Sequence, residues 1–396
     1  MIFSVSVYLV FICALIGTYI FSLIFFKNKE ERHKIFFCSI VSCGLLWLLF
    51  TFKGVGTGSD TNSYYTLYDF ISKDTLFLNE TLKNPIHYEV GFLFLMSLIA
   101  HTHVPYIVFQ AFVYLIICGC LFYTVLKLSK NPAFSILIFF TFTFYNFFIS
   151  GLRQSLAISL CIFALAFTIS SKKDVFKYFL YFLIIGLACS IHNSAFLFLP
   201  VVFLRKVKIG QRGLVALMFV TILFYIFGYQ LFNLIISLAS LTNLVYVEGY
   251  VAYAGGIGKT PILMLLLTII SFMFLCPNVF SEKIFPSLCD RFKLKSSFFQ
   301  LKENYDPNAD YQGVLIVMMF FGCCLEFLNR FSSGIGRGSM YFTIAIIVLL
   351  PNAIERIANK RVKYIVEALA CVGFIGFLFY YSILTDLMNF RYQFYF

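Results

Sequence analysis

Charge is scarce in this chain. Asp, Glu, Lys and Arg make up 12% of its 396 residues, where a soluble protein carries roughly 25%; an ordinary water-facing surface is excluded. Acidic residues are the scarcer sign, 18 against 30 basic, for a net charge of +12. No basic run is dense or interleaved enough to make a nucleic-acid stripe, so that charge is not read as nucleic-acid binding. Tryptophan occurs once, leaving 25 Tyr and 53 Phe to supply the aromatic content. The twelve cysteines form neither a disulfide nor a zinc framework, since eleven lie inside apolar runs and the pair Cys323-Cys324 has no matching Cys/His set. A removable signal peptide is not expected either: the first charge is Lys27, behind an apolar run too long for a signal sequence.

What is abundant is apolar sequence: 61% hydrophobic, with a mean hydropathy of +0.90. Runs of about 20 residues, the length that crosses a bilayer, recur throughout. The fold class is therefore all-α, a polytopic integral membrane protein forming one membrane domain over residues 1–396. The expected crossings are 2–26, 35–52, 105–126, 133–150, 154–170, 177–191, 194–204, 213–240, 261–280, 312–330, 339–355 and 364–385. With the N-terminus outside, 22 of the 30 Lys and Arg fall on one side of this twelve-span scheme, which the positive-inside bias makes the cytoplasm. Residues 281–311 form a cytoplasmic loop and residues 53–88 an outer one. The segment 88–101 is apolar but too short to cross, and a crossing there would invert the loops on one side of it. It reads as re-entrant or interfacial. The spans around His192 are short enough to be half-helices.

The eight remaining cations, Lys53, Lys73, Lys83, Arg153, Lys259, Arg330, Arg337 and Arg391, lie on or near the outer side, against the bias. Lys73 and Lys83, in the polar outer loop, are ordinary, but arginines at span ends need a reason. In "NFFISGLRQSLAISL", 146–160, Arg153 and Gln154 interrupt a long apolar stretch. Arg153 either snorkels to headgroups or presents a fork of donors to phosphate or carboxylate oxygens. Ser150 and Gly151 allow close approach, and the next helix turns its first amides the same way. In "CSIHNSAF", 189–196, His192 is either hydrogen-bonded between helices or a site residue. "LNRFSSGIGRGSMYF", 328–342, lacks the lysine and spacing of a nucleotide loop; Arg330 and Arg337 are headgroup anchors or a clamp for two phosphates. "GTGSDTNSYY", 56–65, brings Asp60 to the outer side, and "NPIHYEVG", 84–91, adds His87 and Glu89. Tyr64, Tyr65 and Tyr68, three and four apart, read as one helix face, suited to the membrane interface or to stacking on sugar rings. These residues come from separated segments yet share one side.

In order and spacing, "GTGSDTNSYY", "HYEVGFLFL", "SGLRQSLAISL" and "SIHNSAFLFLPV" resemble the EpsG-like group of Wzy-type polysaccharide polymerases over roughly residues 45–205. "GRGSMYF" resembles the later arginine of that pattern less specifically, and residues 213–312 carry no resemblance. The resemblance implies a GT-C-like helical glycosyltransferase of the bacterial inner membrane, with its active site on the outer, periplasmic side. Its substrate would be undecaprenyl-diphosphate-linked oligosaccharide and its product O-antigen, capsule or exopolysaccharide. It implies membrane lipids and a Wzz-type chain-length regulator as partners, and no cofactor or metal, with arginines taking the metal's place. Carried over, it singles out Asp60, Tyr64, Glu89, Arg153, Gln154, His192 and Arg337. The expected roles are Asp60 or His192 as base, Glu89 orienting the acceptor, Arg153, Arg337 and Arg330 on the diphosphate, and Tyr64, Tyr65 and Gln154 on the sugars. The long folded outer loop of related polymerases is absent. A flippase or transporter of lipid-linked oligosaccharide is the main alternative, then a ligase or acyltransferase. No halving of the sequence into repeats, as in many transporters, is visible, and the charges cluster on one side.

Overall fold

The computed structural model describes residues 2–27, 30–73, 88–169, 175–206, 211–240, 259–275, 311–329, 333–385 and 392–395. Among these residues the architecture is helical, with an isolated antiparallel bridge between Lys53 and Phe394. The chain clusters into two compact units, residues 1–199 with 370–396, and residues 200–369.

The first unit begins with α1 (Ile2–Phe25) and α2 (Glu31–Thr51), long apolar helices with lipid-type faces, Val10 and Ile24 being about seven-tenths exposed. The short α3 (Thr61–Lys73) and α4 (Val90–Ala100) follow, then the long α5 (Tyr106–Leu128). The eleven residues of α4 rise only about 16 Å, half the ~30 Å of a hydrocarbon core.

The run 133–150, expected as one crossing, is a bent pair. In α6 (Pro132–Thr141) the Asn131 side chain caps the Phe134 amide at 3.2 Å and Pro132 opens the helix, while α7 (Thr143–Ser150) leaves at 67°. Gly151 then turns the chain into α8 (Leu152–Ile169), which packs on both α5 and α9 (Val175–Ile191). Helix α8 is buried nearly all round, and Ser155, Ala157, Ser159 and Ala164 along it are fully buried; small residues of this kind let neighbouring backbones approach.

The run 194–204, a short expected crossing, is not an α-helix. It is instead a 3-10 helix, Asn193–Lys206. A 3-10 helix rises ~2.0 Å per residue, so its 14 residues cover about 28 Å. Its buried ridge, Ala195, Phe198 and Val201, repeats every third residue, the period of that geometry.

In the second unit, α10 (Gln211–Ser240), α11 (Lys259–Leu275) and α12 (Gln312–Leu328) pack together, with α12 also against α13 (Ser333–Thr343). Gly322 lies against Thr343, and Ser339 donates to Glu326 at 2.5 Å inside that helix pair. Then come α14 (Ile346–Ile354) and α15 (Lys360–Thr385), the last continuing into the first unit. Each of the twelve expected runs is at least partly helical, although among the described residues seven helices are long and apolar enough to cross, or up to eight if the bent pair counts as one. The loop 281–311 and residues 74–87 of the outer loop lie outside the described residues.

Candidate active site

Glu89 is the hub. It stands immediately before α4, with its side chain 12% exposed, and its two carboxylate oxygens take different partners. Oε2 accepts from Arg153 Nη1, one residue into α8. Oε1 accepts from His192 Nδ1 at 2.8 Å and from the backbone amide of Asn193, which opens the 3-10 helix, at 3.2 Å. Three elements meet on one carboxylate.

Gly91 makes that meeting possible. A Cβ there would stand 2.6 Å from the Ser190 carbonyl oxygen and closer still to the Ser190 hydroxyl, so only glycine lets α4 press against the end of α9. The "HYEVG" glycine is thus a packing residue that sets how close Glu89 comes to His192.

The electrostatics fix the protonation pattern. Burial pushes the Glu89 carboxyl up, but the His192 hydrogen bond and the Arg153 charge outweigh it and hold it at about 2. An ionised carboxylate only accepts, so the hydrogen between the two rests on His192 Nδ1. In neutral imidazole that leaves the Nε2 lone pair free. Arg153 lies under the Tyr88 ring, 4.3 Å from its centroid, and is hydrogen-bonded to Tyr64. Its Nε is buried without a partner among the described residues, a spare donor beside the one given to Glu89.

The other expected residues divide. Asp60, half-buried, accepts from the Ser59 hydroxyl at 2.9 Å and lies near enough to Tyr64 and Lys53 for its charge to bear on both. Tyr64 and Tyr68 are buried at 4% and 3%, while Tyr65 is 39% exposed, so the three do not share a face. One residue turns a helix by about 100°, which sends Tyr65 away from Tyr64 and edge-on to Tyr106. Gln154 is buried within α8. Arg337 is exposed on α13 in the second unit, and Arg330 and His87 lie outside the described residues. Among the described residues no group of three or more His, Cys, Asp or Glu could hold a metal ion.

The EpsG family model matches residues 35–395. The chain belongs to the EpsG family. That makes it a relative of EpsG-like polysaccharide polymerases over nearly its whole length, with a polymerase-like role in a membrane. The EpsG match reaches well past the motif region 45–205, through the second unit and into the tail. No curated protein and no solved structure matches the chain.

Three features of this EpsG chain escaped the sequence. Tyr88 was unremarkable as one of 25 tyrosines. Lys53 stood among the eight misplaced cations without a role; that misplacement was the available signal. The third is the tail 392–395, where Gly54 donates to the Gln393 carbonyl at 2.6 Å, Tyr395 to the Phe52 carbonyl at 3.0 Å, and Tyr392 to the Leu49 carbonyl at 2.8 Å. No motif marks it.

Proposed function

We propose that the chain is a GT-C-like glycosyltransferase that joins undecaprenyl-diphosphate-linked oligosaccharide repeat units at the outer face of the bacterial inner membrane. The observation that carries this reading is Glu89 holding both Arg153 and His192. An acceptor hydroxyl attacks the anomeric carbon of the growing chain. The bond from that carbon to the phosphate oxygen breaks, and its electron pair leaves with the lipid diphosphate. The hydroxyl proton passes to His192 Nε2, whose ring Glu89 orients through Nδ1. Arg153 supplies donors to the leaving diphosphate. His192 is therefore the base, Glu89 serves it rather than the acceptor, and Asp60 is left to orient acceptor hydroxyls, with Tyr65 as the exposed ring for a sugar face. Arg337 and Arg330 remain further candidates for diphosphate contact, and a Wzz-type protein for setting chain length.

The contacts also fit the parity of the expected topology. Ser59 donates to Ser150 at 3.1 Å, Glu89 binds His192, and Gly54 binds Gln393. Residues so bonded share a side of the membrane, so an even number of crossings separates each pair. Helix α5 and the bent pair α6–α7 satisfy the first if α4 does not cross, and α8 with α9 completes the second.

The test is complementation of a deletion strain with wild type, Arg153→Ala and His192→Ala at matched protein levels. Wild type should give a polymer ladder and the variants single-repeat product, with losses of about 10²–10⁴ for the base and 10²–10³ for the diphosphate donor. Loss of the single-repeat product as well would favour the flippase or ligase reading; a full ladder from both variants would refute the site.

A further inference from the structure

Lys53 is 2% exposed, an extreme position for an amine. Its Nζ donates to the Thr61 hydroxyl at 2.8 Å and to the Ile149 carbonyl. Thr61 directly follows Asp60 and passes its own hydrogen to the Thr57 carbonyl at 2.7 Å. Ile149 lies in the last turn of α7, four residues before Arg153, and its carbonyl is one that a helix end leaves unpaired and that favours a cation. One ammonium thus ties the end of α2, the loop 54–60 and the elbow between α7 and α8. The groups facing it are Asp60 from the loop, the Tyr114 ring of α5 at 5.5 Å and the Ile149 carbonyl of α7. Its backbone is held as well, its carbonyl by Gln110 at 2.9 Å and its strand-like bridge by Phe394 of the tail. Beside it Gly58, at φ +89°, folds the loop so closely that a Cβ would stand 2.8 Å from the same Ile149 oxygen. A methionine would fill the space without taking an amine out of water; what it lacks is the donors. Burial draws Lys53 down to about 7 against the pull of Asp60.

We propose that Lys53 is a positioning residue that clamps the loop bearing Asp60 onto the elbow bearing Arg153. It touches no substrate. The functional arm of this inference rests on the polymerase reading above; the structural arm does not.

Both arms are tested with one pair of engineered cysteines, Ser59→Cys and Ser150→Cys, which faces the loop to the elbow. In membranes under mild oxidant the pair should crosslink readily with Lys53 present and about tenfold less in a Lys53→Met background, the loss expected of a buried charge-assisted hydrogen bond. Equal crosslinking in both backgrounds overturns the proposal. In cells, Lys53→Met should lower polymer yield about tenfold at unchanged protein level, and the oxidised cysteine pair should restore it, with reductant abolishing the rescue. A purely structural role would move protein level and leave nothing for a local crosslink to rescue, so crosslinking without rescue also overturns the proposal. Should Lys53→Met fail to accumulate, Thr61→Val replaces it, with Thr61→Ser, which keeps the acceptor, expected to behave as wild type. If crosslinking falls as expected while Arg153→Ala and His192→Ala still build full polymer, the clamp stands and the polymerase chemistry is what fails.

Discussion

A carboxylate serving an arginine and a histidine can be divided experimentally, because its partners need different things. Glu89→Gln keeps an acceptor for His192 Nδ1 but removes the charge facing Arg153; Arg153→Lys keeps the charge and loses the fork. We expect Glu89→Gln to retain some polymer and Glu89→Ala essentially none, since only the latter frees the imidazole; ladder length and yield at matched expression decide it. The depressed Glu89 pKa has a definite sign. A carboxyl held at about 2 when folded, against ~4.3 when unfolded, contributes stability that is complete above the unfolded value and lost as pH falls through the folded one. Melting in detergent should therefore separate wild type from Glu89→Gln equally at pH 7 and pH 5, and the gap should close below about pH 4. Lys53 behaves oppositely. Between its folded value of about 7 and an unfolded ~10.4, the unfolded chain holds the extra proton, so stability rises with pH across that window. Wild type should gain melting temperature over Lys53→Met on going from pH 6.5 to pH 9; parallel curves would mean the amine is not buried as described.

At the scale of elements, the site depends on close approaches that only backbone can make. Helix α4 reaches Ser190 over Gly91, and loop 54–60 reaches Ile149 over Gly58. Gly91→Ala should push α4 off α9 and lengthen the Glu89–His192 bond. Its expected signature is polymer loss comparable to Glu89→Ala with only ~1–3 kcal/mol of destabilisation, read by ladder and melt together. This is also where the sequence stopped being legible. The apolar run lengths set the helices and the charge bias put Asp60, Glu89, Arg153 and His192 on one side. Pairing Glu89 with His192, across 103 positions, depends on a tertiary contact of one glycine that no local pattern encodes. The tyrosine stripe was misread because three- and four-residue offsets do not settle which neighbour faces the core. The 3-10 geometry of Asn193–Lys206 was also not read from the sequence, whose apolar run length does not distinguish it from an α-helix.

For the molecule as a whole, the hydrogen-bonded pairs make topology testable without any activity. Cysteines at exposed Asn62 and Phe394 should react with a membrane-impermeant thiol reagent in intact cells, and one at exposed Asn359 should not. Labelling of Asn62 and Phe394 from opposite sides would break the tail–loop contact and the even count between them. What the sequence could offer at this scale was a ledger of cations, which gives an expected sidedness but is blind to the tail, whose bonds are largely backbone bonds and carry no residue signature. That tail has a further consequence, in time rather than space. Gln393 is separated from its partner Thr57 by 336 positions, which at ~5–20 residues per second are synthesised over tens of seconds. For that interval loop 54–60 lacks the tail residues that brace it, so a chain still on the ribosome carries Asp60 on an unbraced loop.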